Sequence, residues 1–229
     1  NGQWFKWENR NTNFLYGGPD GGPTHDAPQN GYLNRSRVSL DYIPRDNNHP
    51  YRPAIIFRMA EAYLSYAEAL NECSERMSYE QEILNNLNKI RHRAGIAEYG
   101  TGTDENGFTR IKINFADQKE VRRLIHKERR VEFVGEGIRY HDLRRWKTAH
   151  YGIGNMNEQG ENPDWGVNGP DHGMNYYGTE YTDQGDNAFF KRTKYMDRVY
   201  PRKFYWYPIH QSEIDKDPTL VQGPFWLGE

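Results

Sequence analysis

The sequence predicts a mainly α fold, assembled from helical hairpins and interrupted by long irregular loops. Apolar residues return at three- and four-residue steps in three separate stretches, the mark of helices with one buried face. Helix start and stop residues bracket two of those stretches. Between them lie segments dense in Gly, Pro, Asn and Asp, where a chain turns instead of propagating regular structure.

Residues 1–54 hold no sustained period and form a loop-rich segment ahead of a helical region over 55–229. Gly17-Gly18-Pro19-Asp20-Gly21-Gly22-Pro23 and Asp46-Asn47-Asn48-His49-Pro50 are turn sequences, and Tyr32 to Ile43 has room for short strands. The first helix is expected from Pro53, near whose start a missing N–H costs nothing. Its stripe is Ile56, Met59, Tyr63, Tyr66, Ala67 and Leu70. In the second helix Ser78 and Gln81 have the spacing of a capping box, Ile83, Leu84, Leu87 and Ile90 give the stripe, and Gly95 ends it. The short link between the two implies an antiparallel hairpin. Thr101 to Gly107 is a loop. Asp117, with Glu120 three residues on, starts a third helix carrying Val121, Leu124, Ile125, Val131 and Val134. A short fourth helix follows Gly135 and Gly137 and runs through Leu143 and Trp146. Residues 151–190 are expected to be an irregular insertion, a length that marks functional or disordered loops. The tail carries Tyr207-Pro208-Ile209 and an acidic Ser212-Glu213-Ile214-Asp215 turn.

Composition narrows the function classes. Lys and Arg number 30 against 32 Asp and Glu, so no basic excess points to nucleic acid. The single cysteine, Cys73, can form no intrachain disulfide and no Cys-based zinc site. No apolar run approaches the length of a membrane span. The 17 Tyr, 10 Phe and 6 Trp, set in a chain only 35% hydrophobic, suit a wet surface for a polar ligand. The opening Asn1-Gly2-Gln3-Trp4 is no signal peptide, and the chain reads as a piece of a longer protein.

The densest charged stretch does not read as catalytic. Glu128, Glu132 and Glu136 fall at four-residue steps, on one helical face, with Arg129, Arg130, Arg139, Arg144 and Arg145 close by. A glycosidase needs carboxylates facing one another across a cleft, and one face of one helix cannot straddle a bond. Arginine pairs carboxylates two-pronged, so an ion-pair network locking helix to helix is the expectation. His126, His141 and His150 are too irregularly spaced for zinc, and Asp183, Asp186 and Asn187 lack the closing Glu of a calcium loop. No nucleophile elbow or phosphate-cradling loop occurs. No cofactor, metal or catalytic residue is expected.

Four stretches, in order, resemble the SusD/RagB family. They are Arg52-Pro53 with Arg58-Met59-Ala60-Glu61-Ala62-Tyr63-Leu64-Ser65-Tyr66-Ala67-Glu68-Ala69; Leu87-Asn88-Lys89-Ile90-Arg91-His92-Arg93-Ala94-Gly95; Glu128-Arg129-Arg130-Val131-Glu132-Phe133 with Glu136-Gly137-Ile138-Arg139-Tyr140-His141-Asp142-Leu143-Arg144-Arg145-Trp146; and Tyr207-Pro208-Ile209 with Asp217-Pro218-Thr219-Leu220-Val221-Gln222-Gly223-Pro224. His210, Asp217 and Gly223 depart from the closing motifs. The resemblance implies tetratricopeptide-like helical hairpins, a repeat that cannot bury its face alone. It also implies a lipid-anchored protein at the outer-membrane surface that captures oligosaccharide without catalysis. Such a protein hands its ligand to a SusC-like TonB-dependent transporter, with a peptide-binding, RagB-like role as the alternative and a glycoside hydrolase as a third. On this reading the lipid-bearing N-terminal portion is missing from the chain, which by itself leaves an apolar face uncovered.

Sugars present C–H groups on a ring face and hydroxyls round the rim, so an aromatic plane beside amides and charges is the pattern to seek. One segment with that mixture holds Trp4, Trp7, Asn9, Arg10 and Asn11. The other holds Asn162, Asp164, Trp165, Asn168, Asp171, Asn175, Tyr176 and Tyr177. From these, Trp4, Trp7, Asn9, Arg10, Trp165, Asn168, Tyr176 and Tyr177 are the candidate ligand contacts. Trp146, Trp206 and Trp226, inside the matched blocks, are expected in the core.

Overall fold

The computed structural model describes residues 6–7, 10–11, 13–18, 20–21, 30–32, 51, 55–152 and 166–227, with backbone alone at 6–7 and 10–11. The chain divides into two compact units. One comprises Asn1–Arg35, Lys147–Asn155 and Pro163–Glu229, the other Ser36–Trp146 and Met156–Asn162. Among the described residues the fold is mainly helical, with five helices and two small two-stranded sheets.

The second unit is a three-helix layer closed by a short fourth helix. Helix α1 (Met59–Glu72) and helix α2 (Glu80–Ala94) are joined by one 3-10 turn, Arg76–Tyr79. They run antiparallel, as expected: Tyr66 reaches Glu82, and Tyr63, one turn earlier, sits under Lys89. Helix α3 (Gln118–Glu132) lies antiparallel to α1, since Asn71 meets Gln118 at one end and Arg58 meets Glu132 at the other. The core between them is Ala60, Leu64, Ala67 and Leu70 of α1, Ile83, Leu87 and Ile90 of α2, and Val121, Leu124 and Ile125 of α3. Small Ala60 and Ala67 against large Leu64 let the helices approach closely and interlock.

Several expectations for this unit need correction. Helix α1 starts at Met59, so Ile56 lies outside it and is exposed, while Met59 and Tyr66 are also exposed. Burial runs instead along Ala60, Leu64, Ala67 and Asn71. Pro53 lies outside the described residues. Ser78 is no cap: it sits inside the 3-10 turn with its hydroxyl donating to Glu75 O, and Tyr79 occupies the α2 N-cap. Val131 and Val134 are exposed, and Glu136 lies beyond the end of α3, in the turn leading to α4 (Ile138–Arg145). Two terminal signals hold. Asp117 accepts from Lys119 N and Glu120 N at 2.9 and 3.2 Å. Gly95 closes α2 in the left-handed region, at φ 67°, with its N–H on the last carbonyls.

The first unit is loop-rich. Residues Lys6–Trp7 (β1) and Arg10–Asn11 (β2) pair as a minimal hairpin. The expected irregular insertion over 151–190 contains a strand, β3 (Gly169–Met174), paired antiparallel with β4 (Arg192–Arg198). Asp171 on β3 binds Tyr195 and Arg198 on β4, both at 2.8 Å, which explains how so glycine-rich a strand holds its register. The acidic Ser212–Asp215 stretch is part of a short helix, α5 (Gln211–Lys216). Trp206 is exposed, contrary to its expected place in the core, and Trp146 and Trp226 are half-buried.

Candidate functional site

The arginine- and glutamate-rich block is tied up inside the helical unit. Glu128 accepts from Arg91 at 2.5 Å and from the Tyr99 hydroxyl at 2.8 Å. Glu132 is held by Arg58 and Arg93. Glu136 takes two bonds from Arg58, at 2.7 and 3.0 Å. Each carboxylate therefore faces a guanidinium from another helix or helix end. Burial pushes the Glu132 carboxyl up, but its arginine partners win and hold it below its ordinary value. Burial and the neighbouring Glu128 charge push the Tyr99 phenol well up, so it stays protonated as a donor. Among the described residues, no three His, Cys, Asp or Glu are grouped to hold a metal, and no helix is long and apolar enough to cross a membrane.

A cluster of aromatic residues with exposed members lies in the loop-rich unit. Tyr16 occupies a turn closed by Gly18 N to Leu15 O at 2.8 Å, braced by Asn13 and Asp20, which bond backbone to side chain and backbone to backbone. Tyr16 N donates to Gly178 O at 2.9 Å, fixing that turn against a second one over 175–178. In the second turn the Asn175 side chain accepts from Tyr177 N and donates to Asp186 O and Ala188 O. An Asx turn of this kind presents the following residues outward. Gly178 is needed because a Cβ there would overlap the Phe189 backbone.

The result is an aromatic platform. Tyr16 and Tyr177 have ring centroids 5.4 Å apart, and Tyr176 stands edge-on to Tyr177 at the same separation. Tyr177 is 68% exposed. Beside them Tyr181, 40% exposed, packs on Phe189 and Phe190 while its hydroxyl bonds Asn13 and Phe14 N. Ring faces offered to solvent in this way can cover the C–H face of a polar ring.

Of the residues singled out from sequence, Tyr176 and Tyr177 are brought together here. Asn168 is occupied elsewhere. Its amide donates to His150 O and Tyr200 O and its oxygen accepts from Tyr200 N, so it shapes the loop. Trp7 and Arg10 are cross-strand partners in the β1–β2 register. Trp4, Asn9 and Trp165 lie outside the described residues, as do the side chains of Trp7 and Arg10. Sequence reasoning missed Tyr181 and Phe190 and gave Tyr16 no part in the site. Only the fold joins Phe14 to Tyr181, 167 residues apart.

Residues 3–226 match the SusD family. The chain is 35% identical over 109 residues to the SusD-like protein P25 of Formosa agariphila, a match that covers 48% of this chain and 18% of that protein. A crystal structure of a SusD-like protein from Bacteroides fragilis overlays 75% of this chain and 26% of its own length, with 28% identity and a TM-score of 0.49. The matched lengths are a small part of either relative.

Proposed function

The chain belongs to the SusD family, and from that premise we propose that it contributes to the capture of oligosaccharide by an outer-membrane nutrient-uptake system. The platform of Tyr16, Tyr176 and Tyr177 carries this reading, because Tyr16 and Tyr177, held in fixed turns yet exposed, and the half-buried Tyr176 beside them serve a ligand better than a core. Trp4, Trp7, Asn9, Arg10 and Trp165 complete the contact surface on this proposal. A capture role without catalysis is part of this proposal, supported by the engagement of Glu128, Glu132 and Glu136 with arginines. Delivery runs to a SusC-like TonB-dependent transporter at the cell surface, where a lipid anchor holds the whole protein.

The test is calorimetric titration of the chain with neutral oligosaccharides of differing linkage. Trp4→Ala, Trp7→Ala and Trp165→Ala are each expected to weaken binding while leaving the unfolding transition in place. Unchanged affinity in all three removes them from the site. A peptide pool that outcompetes every oligosaccharide moves the cargo to the RagB-like alternative, and glycan turnover lost in Glu128→Gln or Glu132→Gln makes the protein an enzyme.

A further inference from the structure

We propose that the groove between α2 and the segment 98–115 is a second ligand site, taking a carboxylate or sulfate group of an acidic oligosaccharide. This rests on the saccharide reading above but concerns a different unit and a different chemistry. The groove has a volume of about 940 Å³, within the range of small-molecule sites.

One wall is a helix face. Gln81, Asn85 and Lys89 follow at four-residue steps along α2, and all three line the groove. The opposite wall carries Arg110 and Lys112, two apart on a stretch bridged at Thr109 and Ile111, so both project to the same side. This wall is built in advance. The Asp104 carboxylate accepts from the N–H groups of Glu98, Asn106 and Phe108 at 3.1, 3.0 and 2.9 Å, and Gly100 and Glu98 exchange backbone bonds with Ile111. A wall already ordered lowers the entropy cost of binding.

The charges on these walls are unevenly matched. Arg110 holds Glu98 at 2.8 Å, and Glu98 also meets His92. Lys89 Nζ lies over the Tyr63 ring, 4.3 Å from its centroid, which fixes the ammonium without neutralising it. Neither Lys89 nor Lys112 has a carboxylate within ion-pair distance among the described residues. The other acids of the lining are Glu80, in the first turn of α2, and Glu105, in the turn over 104–107, and neither forms an ion pair with these lysines. With Arg110 taken by Glu98, Lys89 and Lys112 are the two cations of the lining left to meet an anionic group. Along the same wall Gln81 donates to Asn85 at 2.9 Å, leaving an amide oxygen and an amide nitrogen of the pair for hydroxyls.

The experiment titrates the full chain with trigalacturonate, a monosulfated galactotriose and neutral galactotriose, in wild type and in a Lys89→Gln, Lys112→Gln double variant. Both lysines are exposed, so the variant is expected to fold as wild type. At least one acidic probe binds, weakens tenfold or more in the double variant and weakens further as salt is raised. Which probe binds tells carboxylate from sulfate. Neutral galactotriose is expected to respond equally in both proteins. The proposal is overturned if neither acidic probe binds, if the double variant binds them unchanged, or if hexaglutamate binds more tightly than either. Loss of neutral binding in Tyr177→Ala reads the aromatic platform separately, so the two sites fail independently.

Discussion

Arg129 and Asp142 meet in a two-pronged ion pair, Nε to Oδ2 and Nη2 to Oδ1 both at 2.9 Å, with only 3% of either residue exposed. The pair joins α3 to α4, and Arg129 also reaches Ser65 on α1. Asp142→Ala leaves a buried guanidinium with Glu68, 3.9 Å away, as its nearest acid. The expected loss is about 3 kcal/mol, the low end for breaking a buried pair. Arg129→Lys should cost nearly as much, because an ammonium cannot bridge both oxygens. Urea denaturation checks both, and a loss below about 1 kcal/mol in Asp142→Ala contradicts the assigned role.

Glu68 ties acid stability to the same corner. Burial would push its carboxyl up, but hydrogen bonds from His126, Arg145 and Trp146 outweigh burial and hold it well below the usual carboxylate range. Arg145 binds both Glu68 oxygens, at 2.6 and 2.5 Å, and Trp146 Nε1 donates at 2.7 Å. A folded-state pKa below the unfolded one gives stability that is present above the unfolded value, about 4.3, and lost as pH falls beneath it. Glu132, held below its ordinary value by Arg93 and Arg58, acts in the same direction. The Tm should therefore hold from pH 7 down to about pH 5 and fall steeply below that. Glu68→Gln should lower the plateau and flatten the acid limb; a parallel limb in the variant assigns the acid sensitivity elsewhere.

Helix ends give a paired prediction. Asp117→Ala removes a side chain that accepts two N–H bonds at the start of α3 and should cost about 1 kcal/mol. Ser78→Ala, which sequence spacing alone would rank as equal, should stay within about 0.5 kcal/mol, since Ser78 caps nothing in α2. Chemical denaturation of the two variants side by side reads the difference.

What the sequence made legible follows from where local physics decides. The stripe of α2, the Val121, Leu124 and Ile125 part of the α3 stripe, the Asp117 cap and the Gly95 stop are short-range features, and they stand in the fold. The start of α1 is not local. Arg58 sits at its N-cap with no capping bond, its guanidinium committed to Glu132 and Glu136, so apolar Ile55-Ile56-Phe57 extend the pattern falsely upstream. Val131 and Val134 satisfy helical spacing yet stay exposed, as Ile55, Ile56 and Phe57 do, because spacing names a face but not what covers it. Strand β3 is unreadable from Gly169-Pro170-Asp171-His172-Gly173-Met174, which has no β-branched residue; its partner β4 and the Asp171 bonds make it a strand. The aromatic platform was half legible, Tyr176 and Tyr177 by composition and Tyr16 only through its bond to Gly178.

That dependence on distant bonds separates contact from positioning at the platform. Tyr177→Ala removes an exposed ring and should weaken neutral oligosaccharide binding about tenfold, or about 1.4 kcal/mol, with the Tm unchanged. Tyr181→Phe keeps the ring packed on Phe189 but deletes the hydroxyl that accepts from Phe14 N at 2.8 Å and donates to Asn13 Oδ1 at 3.2 Å. Without those bonds the turn bearing Tyr16 loses a tether, and part of the binding enthalpy must go into ordering it. Tyr181→Phe should therefore bind more weakly than wild type and with a larger unfavourable entropy, whereas Tyr177→Ala loses enthalpy. Calorimetry distinguishes them, and adding Tyr16→Ala to each provides the control. Once Tyr16 is gone the Tyr181→Phe change should have no further effect, while Tyr177→Ala should still weaken binding. A full, additive loss from Tyr181→Phe in the Tyr16→Ala background would mean that the Tyr181 hydroxyl meets the ligand itself.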